Sequence, residues 1–343
     1  MVKTTIKLGG SASNVTVAKV GHGLMMMTWK PIHAPDEQCF EAIKASLDSA
    51  PPGAKMLLNS GEFYGEVSHM NANLELLARF FEKNPSYANK AFLAVKGGTK
   101  ADSHATDCSP ENLRRSVNNI NAKLRGTKTL DIFQPARIDP NFTVEDQMKT
   151  LATLQKEGKF GHIGLSECSA ASVRRANAVV PITFVEIEVS PMSYGKEAKE
   201  VIATCAELGI TVGAYSPMGR GFLTGKITKA EDFDEGDHRR HFTRFKKENI
   251  EHNFAIVDGL KRIADSKGIT TGQLSIAWVS ARGPHVLPLP GSSHKDRTLE
   301  NLQGADVALT SAELKEIDTI LETHPVAGGR YIDGMETRFN LWG

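Results

Sequence analysis

The chain has 343 residues, 40% of them hydrophobic, and a formal net charge of +1. That balance excludes a general nucleic-acid binder and a protein held on an anionic membrane surface, and no apolar run approaches the roughly 20 residues of a membrane span. Cys39, Cys108, Cys168 and Cys205 are scattered and form no CxxC pair, which is the pattern of reduced thiols in a cytosolic protein.

The opening MVKTTIKLGG lacks an apolar signal-peptide core and is read as mature protein. In IKLGGSASNVTV, Gly9-Gly10 and Ser13-Asn14 supply turns for a hairpin. VAKVGHGLMMMT, Val17 to Thr28, is the first strand-like run. A helix from Asp36 to Ala50 follows, stopped by Pro51-Pro52. Strand two is Met56 to Ser60, helix two about His69 to Phe81, and strand three Ala91 to Lys96. Ser109-Pro110-Glu111 opens a helix that reaches about Leu124. Strand four is LDIFQPARID, with a helix from Thr143 to Glu157 after it. Strand five (HIGLSEC), a helix over Ser169–Val180, strand six (FVEIEVSP), a helix over Glu197–Leu208 and strand seven (TVGAYSPMG) continue the rhythm. After a long insertion and two helices, VLPLPGSS makes strand eight.

Eight strands alternating with helices across short loops predict one (β/α)₈ barrel spanning residues 1–343. A Rossmann pair of domains wants GxGxxG straight after an early strand; Gly219-Arg220-Gly221 comes late and lacks the third glycine. Two segments stand outside the rhythm. Gly219 to Asn249 is long and mixed in charge, and reads equally as a solvated insertion or a lid over a charged ligand. Its His238 and His241 lack the further ligands a metal site needs. The tail from Pro325 to Gly343 carries Arg330, Tyr331, Phe339 and Trp342, and reads either as a wrap over the barrel mouth or as packing on its side.

In a parallel barrel the chemistry gathers at the carboxyl ends of the strands. LLNSGEFYG empties strand two into a loop with Tyr64, and AFLAVKGG ends strand three on Lys96. A Lys and a Tyr at adjacent strand ends can meet, and an ammonium lowers a phenol's pKa toward use as a proton donor. Strand seven empties into YSPMGRGFLTGK, whose Gly219, Gly221 and Gly225 let backbone N–H groups approach an anion. Strand eight empties into Ser292, Ser293, His294, Lys295 and Arg297 before a short helix. Loops at these two positions, with a helix N-terminus, commonly bind phosphate in barrels, and a guanidinium suits a phosphate monoester.

These blocks, together with GHGLMMMTW, GHIGLSECS, VEIEVSP and GQLSIAWV, resemble the aldo-keto reductase superfamily over nearly the whole chain. The run LNSGEFYG and the form of DIFQPARID are most similar to its fungal pyridoxal reductase branch. The resemblance implies a barrel that binds NADPH across its mouth and reduces a carbonyl, the hydride coming from the cofactor. It implies Tyr64 as proton donor and Lys96 as the group that lowers its pKa. It places Ser166, Glu167 and Glu186 against the nicotinamide carboxamide and Tyr215 on its ring. Ser216, Met218, Gly219, Gly221 and Gly225 fall at the pyrophosphate. Ser293, His294, Lys295 and Arg297 fall at the 2′-phosphate, and Glu300 and Asn301 at the adenine. The chain departs from the family pattern in having Asn59 for an Asp, Ala136 for a His, and Glu186 for a Gln. Asn59 still counts with Tyr64 and Lys96 as a catalytic position, but without the Asp, Lys96 is expected to lack an anionic partner and to depress the Tyr64 pKa further. The space at Ala136 is expected to admit a bulky aldehyde. The expected activity is reduction of pyridoxal to pyridoxine by a cytoplasmic monomer or weak homo-oligomer. The alternatives are a broad aryl and short-chain aldehyde reductase and a non-catalytic NADPH-binding subunit.

Overall fold

The computed structural model describes residues 1–30, 32–233, 235, 237–335 and 339–343. Two short strands, β1 (Thr5–Lys7) and β2 (Thr16–Ala18), pair antiparallel as the expected hairpin. Eight parallel strands follow: β3 (His22–Gly23), β4 (Met56–Gly61), β5 (Ala91–Gly97), β6 (Ile132–Pro135), β7 (His162–Ser166), β8 (Phe184–Glu188), β9 (Thr211–Tyr215) and β10 (Val286–Leu289). The ring closes where Gly23 bridges Gly291 and the Gly21 and Gly23 N–H groups donate to Pro288 O and Pro290 O. The (β/α)₈ barrel is thus the architecture of the chain.

Its helices are α1 (Met25–Thr28), α2 (Asp36–Asp48), α3 (Ala72–Lys83), α4 (Pro110–Leu124), α5 (Val144–Lys156), α6 (Ala170–Val179), α7 (Lys196–Leu208), α8 (Lys247–Lys267), α9 (Thr271–Ser280), α10 (Lys295–Gly304) and α11 (Ser311–Thr323). Their starts are written in short polar side chains. Ser109, Thr143 and Ser169 each accept a backbone N–H three residues on, and Thr270 with Gln273 closes a full capping box.

The run Val17–Thr28 is not one strand. Val17-Ala18 belongs to the hairpin, only His22-Gly23 joins the barrel, and Met25–Thr28 turns into α1. Strand four shortens likewise from Leu130–Asp139 to Ile132–Pro135. Helix α11 lies where the sequence reading places no element; its Thr310–Glu313 capping box is the signal that marks it.

The period of two along each strand sorts side chains into two layers. Leu58, Leu93, Val95, Phe133, Val185 and Val212 face the helices. Leu57, Ala94, Ile132 and Phe184 fill the barrel interior, over a floor made by hairpin residues Ile6, Leu8 and Val17. Two residues further up those same strands stand Asn59, Lys96, Gln134 and Glu186. The alternation that buries the apolar layer therefore aims four polar groups at one point under the mouth. Among the described residues no helix is long and apolar enough to cross a membrane.

Candidate active site

Lys96 and Glu186 side chains are 6% and 4% exposed and form an ion pair inside the barrel. Lys96 Nζ donates to Glu186 Oε1 at 2.8 Å and Oε2 at 3.0 Å, and to Asn59 Oδ1 at 2.7 Å. Asn59 Nδ2 donates to Glu186 Oε2 at 2.7 Å, and Gln134 Nε2 donates to the same oxygen. Among the described residues the Gln134 Oε1 atom is buried without a partner. Lys96 therefore has an anionic partner after all, from β8 across the barrel rather than from the neighbouring β4. Both carboxylate oxygens of Glu186 are engaged by this unit, so its side chain serves Lys96 in this arrangement.

Tyr64 sits above the unit. Its ring centroid is 5.1 Å from Lys96 Nζ. A Cβ at Gly61 would lie 2.8 Å from the Tyr64 ring, so the glycine at the end of β4 is what lets the ring fold back over the barrel. Burial raises the Tyr64 pKa; the Lys96 ammonium and its hydrogen bond pull it down, Glu186 pushes it up, and the result stays above the ordinary phenol value. The expectation of a further depressed Tyr64 is thereby overturned, because burial and the Glu186 carboxylate both act against it. Burial also works against the Lys96 charge, but Glu186 and Tyr64 more than offset it, leaving that pKa raised.

Around Tyr64 the wall is apolar and aromatic. Phe63, Met70 and Ala136 are buried with it, and Met25 and Trp29 pack against them. Trp29 lies 5.5 Å from the Tyr64 ring, and His104, from the loop after β5, stacks on Trp29 at 5.0 Å with 9° between planes. Ala136 is thus packed among rings. Trp29, Phe63 and His104 were not legible as site residues, since they converge from three separate loops.

A second ionic group roofs the next strand ends. Glu188, fully buried at the end of β8, accepts from Arg220 at 3.0 Å, Arg330 at 3.1 Å and Ser193 Oγ at 2.8 Å, with Arg244 3.6 Å away. Arg330 also bonds both oxygens of Glu167 at 3.0 Å and the Tyr215 hydroxyl at 2.9 Å. Arg330 brings the tail with it. Arg137 Nε donates to Phe339 O, Asn340 to Ile138 O, and the Trp342 N–H to Glu167 O. The tail crosses the mouth, apart from positions 336–338, which lie outside the described residues. Ser166 and Tyr215 end β7 and β9 beneath it. Glu167 and Ser216, the residues after those strands, both have φ of 52°, a strained conformation for residues other than glycine.

The segment 219–249 is not simply a solvated insertion. Positions 234 and 236 lie outside the described residues, but Phe222, Phe233, Phe242 and Phe245 are buried, and Arg220 stacks between Phe242 and Tyr331. Gly219, Gly221 and Gly225 adopt φ of 57°, 92° and 74°. Their N–H groups donate to Ser216 O, Met218 O and Phe222 O within the turns. They shape the loop; contrary to the expectation from sequence, their own N–H groups are not turned out toward an anion.

At the end of β10, the Ser292 hydroxyl accepts the His294 N–H at 3.1 Å as α10 begins. Ser293 is buried, and His294, Lys295 and Arg297 are exposed around the first turn of that ten-residue helix. Gln38 Nε2 donates to Ser293 O at 2.9 Å, joining α2 to this corner unforeseen. Glu300 accepts from Thr270 Oγ1 at 2.8 Å, and Asn301 is buried beside it. Met218 packs with its sulfur close to Gly272 of α9.

The aldo/keto reductase family model matches residues 19–322. The chain is 36% identical over 330 residues to the "Probable pyridoxal reductase 2" of Schizosaccharomyces pombe, covering 95% of this chain and 98% of that protein. It is 35% identical over 327 residues to a second protein of that yeast, "Aldo-keto reductase yakc", whose name carries NADP(+), covering 94% and 93%. The glycerol dehydrogenase structure from Gluconobacter oxydans superposes with a TM-score of 0.80 at 24% identity, over 95% of this chain and 97% of that one, which is a likeness of fold.

Proposed function

The chain belongs to the aldo/keto reductase family, and from that premise we propose that it reduces an aromatic aldehyde, pyridoxal foremost, to its alcohol with NADPH. The observation that carries this reading is the Tyr64–Lys96 pair, buried at adjacent strand ends beneath an aromatic wall. The relative's name supports pyridoxal, and the wall of Trp29 and Phe63 suits a flat ring.

The residues present fit the cofactor in their donor chemistry. Ser293, Lys295 and Arg297 ring the N-terminus of α10, where unpaired N–H groups and the helix dipole favour a phosphate. His294 flanks them, with Glu300 and Asn301 one turn on for the adenine. Ser166, Glu167 and Tyr215 stand at the nicotinamide end, where Glu167 and Tyr215 also hold Arg330. When bound there, NADPH supplies the hydride to the carbonyl carbon. The chain supplies the rest. Trp29 and Phe63 hold the ring of the aldehyde, Tyr64 gives its hydroxyl proton to the carbonyl oxygen, and the Lys96 ammonium stabilises the phenolate left behind.

The decisive assay follows NADPH oxidation with pyridoxal, a second aryl aldehyde and a short aliphatic aldehyde. Pyridoxal should rank first in kcat/KM. Equal rates with all three would favour the broad reductase, and nucleotide binding without any turnover would favour the non-catalytic subunit. Trp29→Ala should raise KM for the aryl substrates about tenfold, the ~1.4 kcal/mol of one lost aromatic face, and leave the aliphatic one nearly unchanged. Arg297→Ala should raise KM for NADPH roughly 10- to 100-fold by removing a charge-assisted contact while NADH, lacking the 2′-phosphate, is unaffected. An equal loss for both nucleotides would remove Arg297 from the phosphate site.

A further inference from the structure

We propose that Glu186 is the positioning carboxylate of the Tyr64–Lys96 pair, supplying from β8 the counter-charge that holds the Lys96 ammonium in place, with Asn59 as its uncharged bridge. The inference deepens the reductase reading and rests on it for its kinetic consequences, but its geometric basis stands alone.

Besides its hydrogen bond with Tyr64, Lys96 Nζ meets three oxygens of the unit beneath it: Asn59 Oδ1 at 2.7 Å and the two of Glu186 at 2.8 and 3.0 Å. Only Glu186 carries charge. The Asn59 amide donates to Glu186 Oε2 at 2.7 Å, so acid and amide touch each other as well as the ammonium. An acid and an amide in such contact are interchangeable in principle. With an Asp at position 59 and a Gln at position 186, both isosteric changes, the bond between them reverses direction and Lys96 keeps an oxygen from each. The Gln134 amide, which now donates to Glu186 Oε2 while its own Oε1 is buried and unpartnered, needs only to flip. Its orphan oxygen then accepts the second N–H of the new amide at position 186. The exchanged arrangement thus keeps the contacts of Lys96 and of positions 59 and 186, with the flipped Gln134 Nε2 taking the unpartnered place, and a single carboxylate is what both arrangements share.

The groups facing Tyr64 are Lys96 from β5, Glu186 from β8, Arg137 beyond β6 and the His104 imidazole on Trp29. Of these, only the Glu186 charge changes in the experiment. Glu186→Gln removes an anion near the phenol, so the phenolate becomes easier to form. The Tyr64 titration and the alkaline limb of kcat/KM should both move down by about 1 unit or more. Asn59→Asp adds an anion and should move both up. The double variant Asn59→Asp/Glu186→Gln should return both to the wild-type position.

Titration is read by NMR of Cζ-labelled tyrosine in the nucleotide-free protein, with Tyr64→Phe assigning the signal among the five tyrosines. This arm needs no turnover. If no aldehyde is reduced but the titration shifts as described, the reductase reading fails and the counter-charge stands. If turnover persists but Glu186→Gln leaves the Tyr64 titration unmoved, or the double variant stays displaced with it, the counter-charge assignment is overturned. Should Glu186→Gln fail to fold, the double variant carries the test. A folded double variant with the wild-type titration supports the assignment, and one that cannot fold while Asn59→Asp does overturns it.

Discussion

Tyr64→Phe will lower kcat for aldehyde reduction by about 10²–10⁴-fold, the usual worth of a positioned proton donor, with nucleotide affinity unchanged. The change removes one oxygen and keeps the ring against Trp29 and Phe63, so the aromatic wall survives. The developing alkoxide loses the hydroxyl held beside the Lys96 ammonium. Lys96 does not replace it readily, because Glu186 and Asn59 hold the ammonium down in the barrel and the Glu186 carboxylate keeps its proton on. The pH profile follows from the same geometry. A phenol whose pKa is raised stays protonated through neutrality, so reduction should be flat there and fall only above about pH 10, the ordinary tyrosine value. A Tyr64→Phe protein that keeps wild-type kcat would show that the proton comes from elsewhere, and the roles of Tyr64 and Lys96 would have to be given up together.

What could be read from the chain and what could not divide along contact distance in sequence. Tyr64 and Lys96 meet because β4 and β5 are consecutive parallel strands, with Gly61 beside Lys96 in register; apolar runs and their polar ends are enough to see that. The eight-strand rhythm was legible for the same local reason, and its ends were blurred where strand and helix share apolar residues, as at Met25–Thr28. The Lys96 partner was not legible. Glu186 lies on β8, and only closure of the ring through Gly23 and Gly291 carries it across to β5. Reading Asn59 alone, as a lost acid, misses the carboxylate that reaches Lys96 from another strand. Arg330 is the extreme case. It stands in a tail without regular periodicity, and nothing local announces that it bonds Glu188 and Glu167, 142 and 163 positions earlier.

That roof sets the largest effect on stability. Glu188→Gln should destabilise the fold by about 3–5 kcal/mol at neutral pH, since it leaves Arg220, Arg244 and Arg330 gathered around a buried neutral amide. Burial by itself would raise the Glu188 pKa, but Arg330, Arg220 and Arg244 overcome it and hold the carboxyl well below the usual carboxylate range. A depressed folded pKa contributes stability that is fully present above the unfolded value, about pH 4.3, and is lost as pH falls from there toward the folded value. Urea denaturation at pH 7 and across pH 5 to 3 reads both consequences. Wild type should lose stability steeply with acid, and Glu188→Gln should start lower and lose less. Glu157→Gln is the control: it breaks an ion pair with Arg114 on the surface, which solvent already screens, and should leave the midpoint unmoved. If Glu188→Gln unfolds at the wild-type urea midpoint, the buried arginines are not held by that carboxylate, and the tail's place over the mouth rests instead on its bonds to Glu167, Arg137 and Ile138 and its contacts with Phe242 and Arg220.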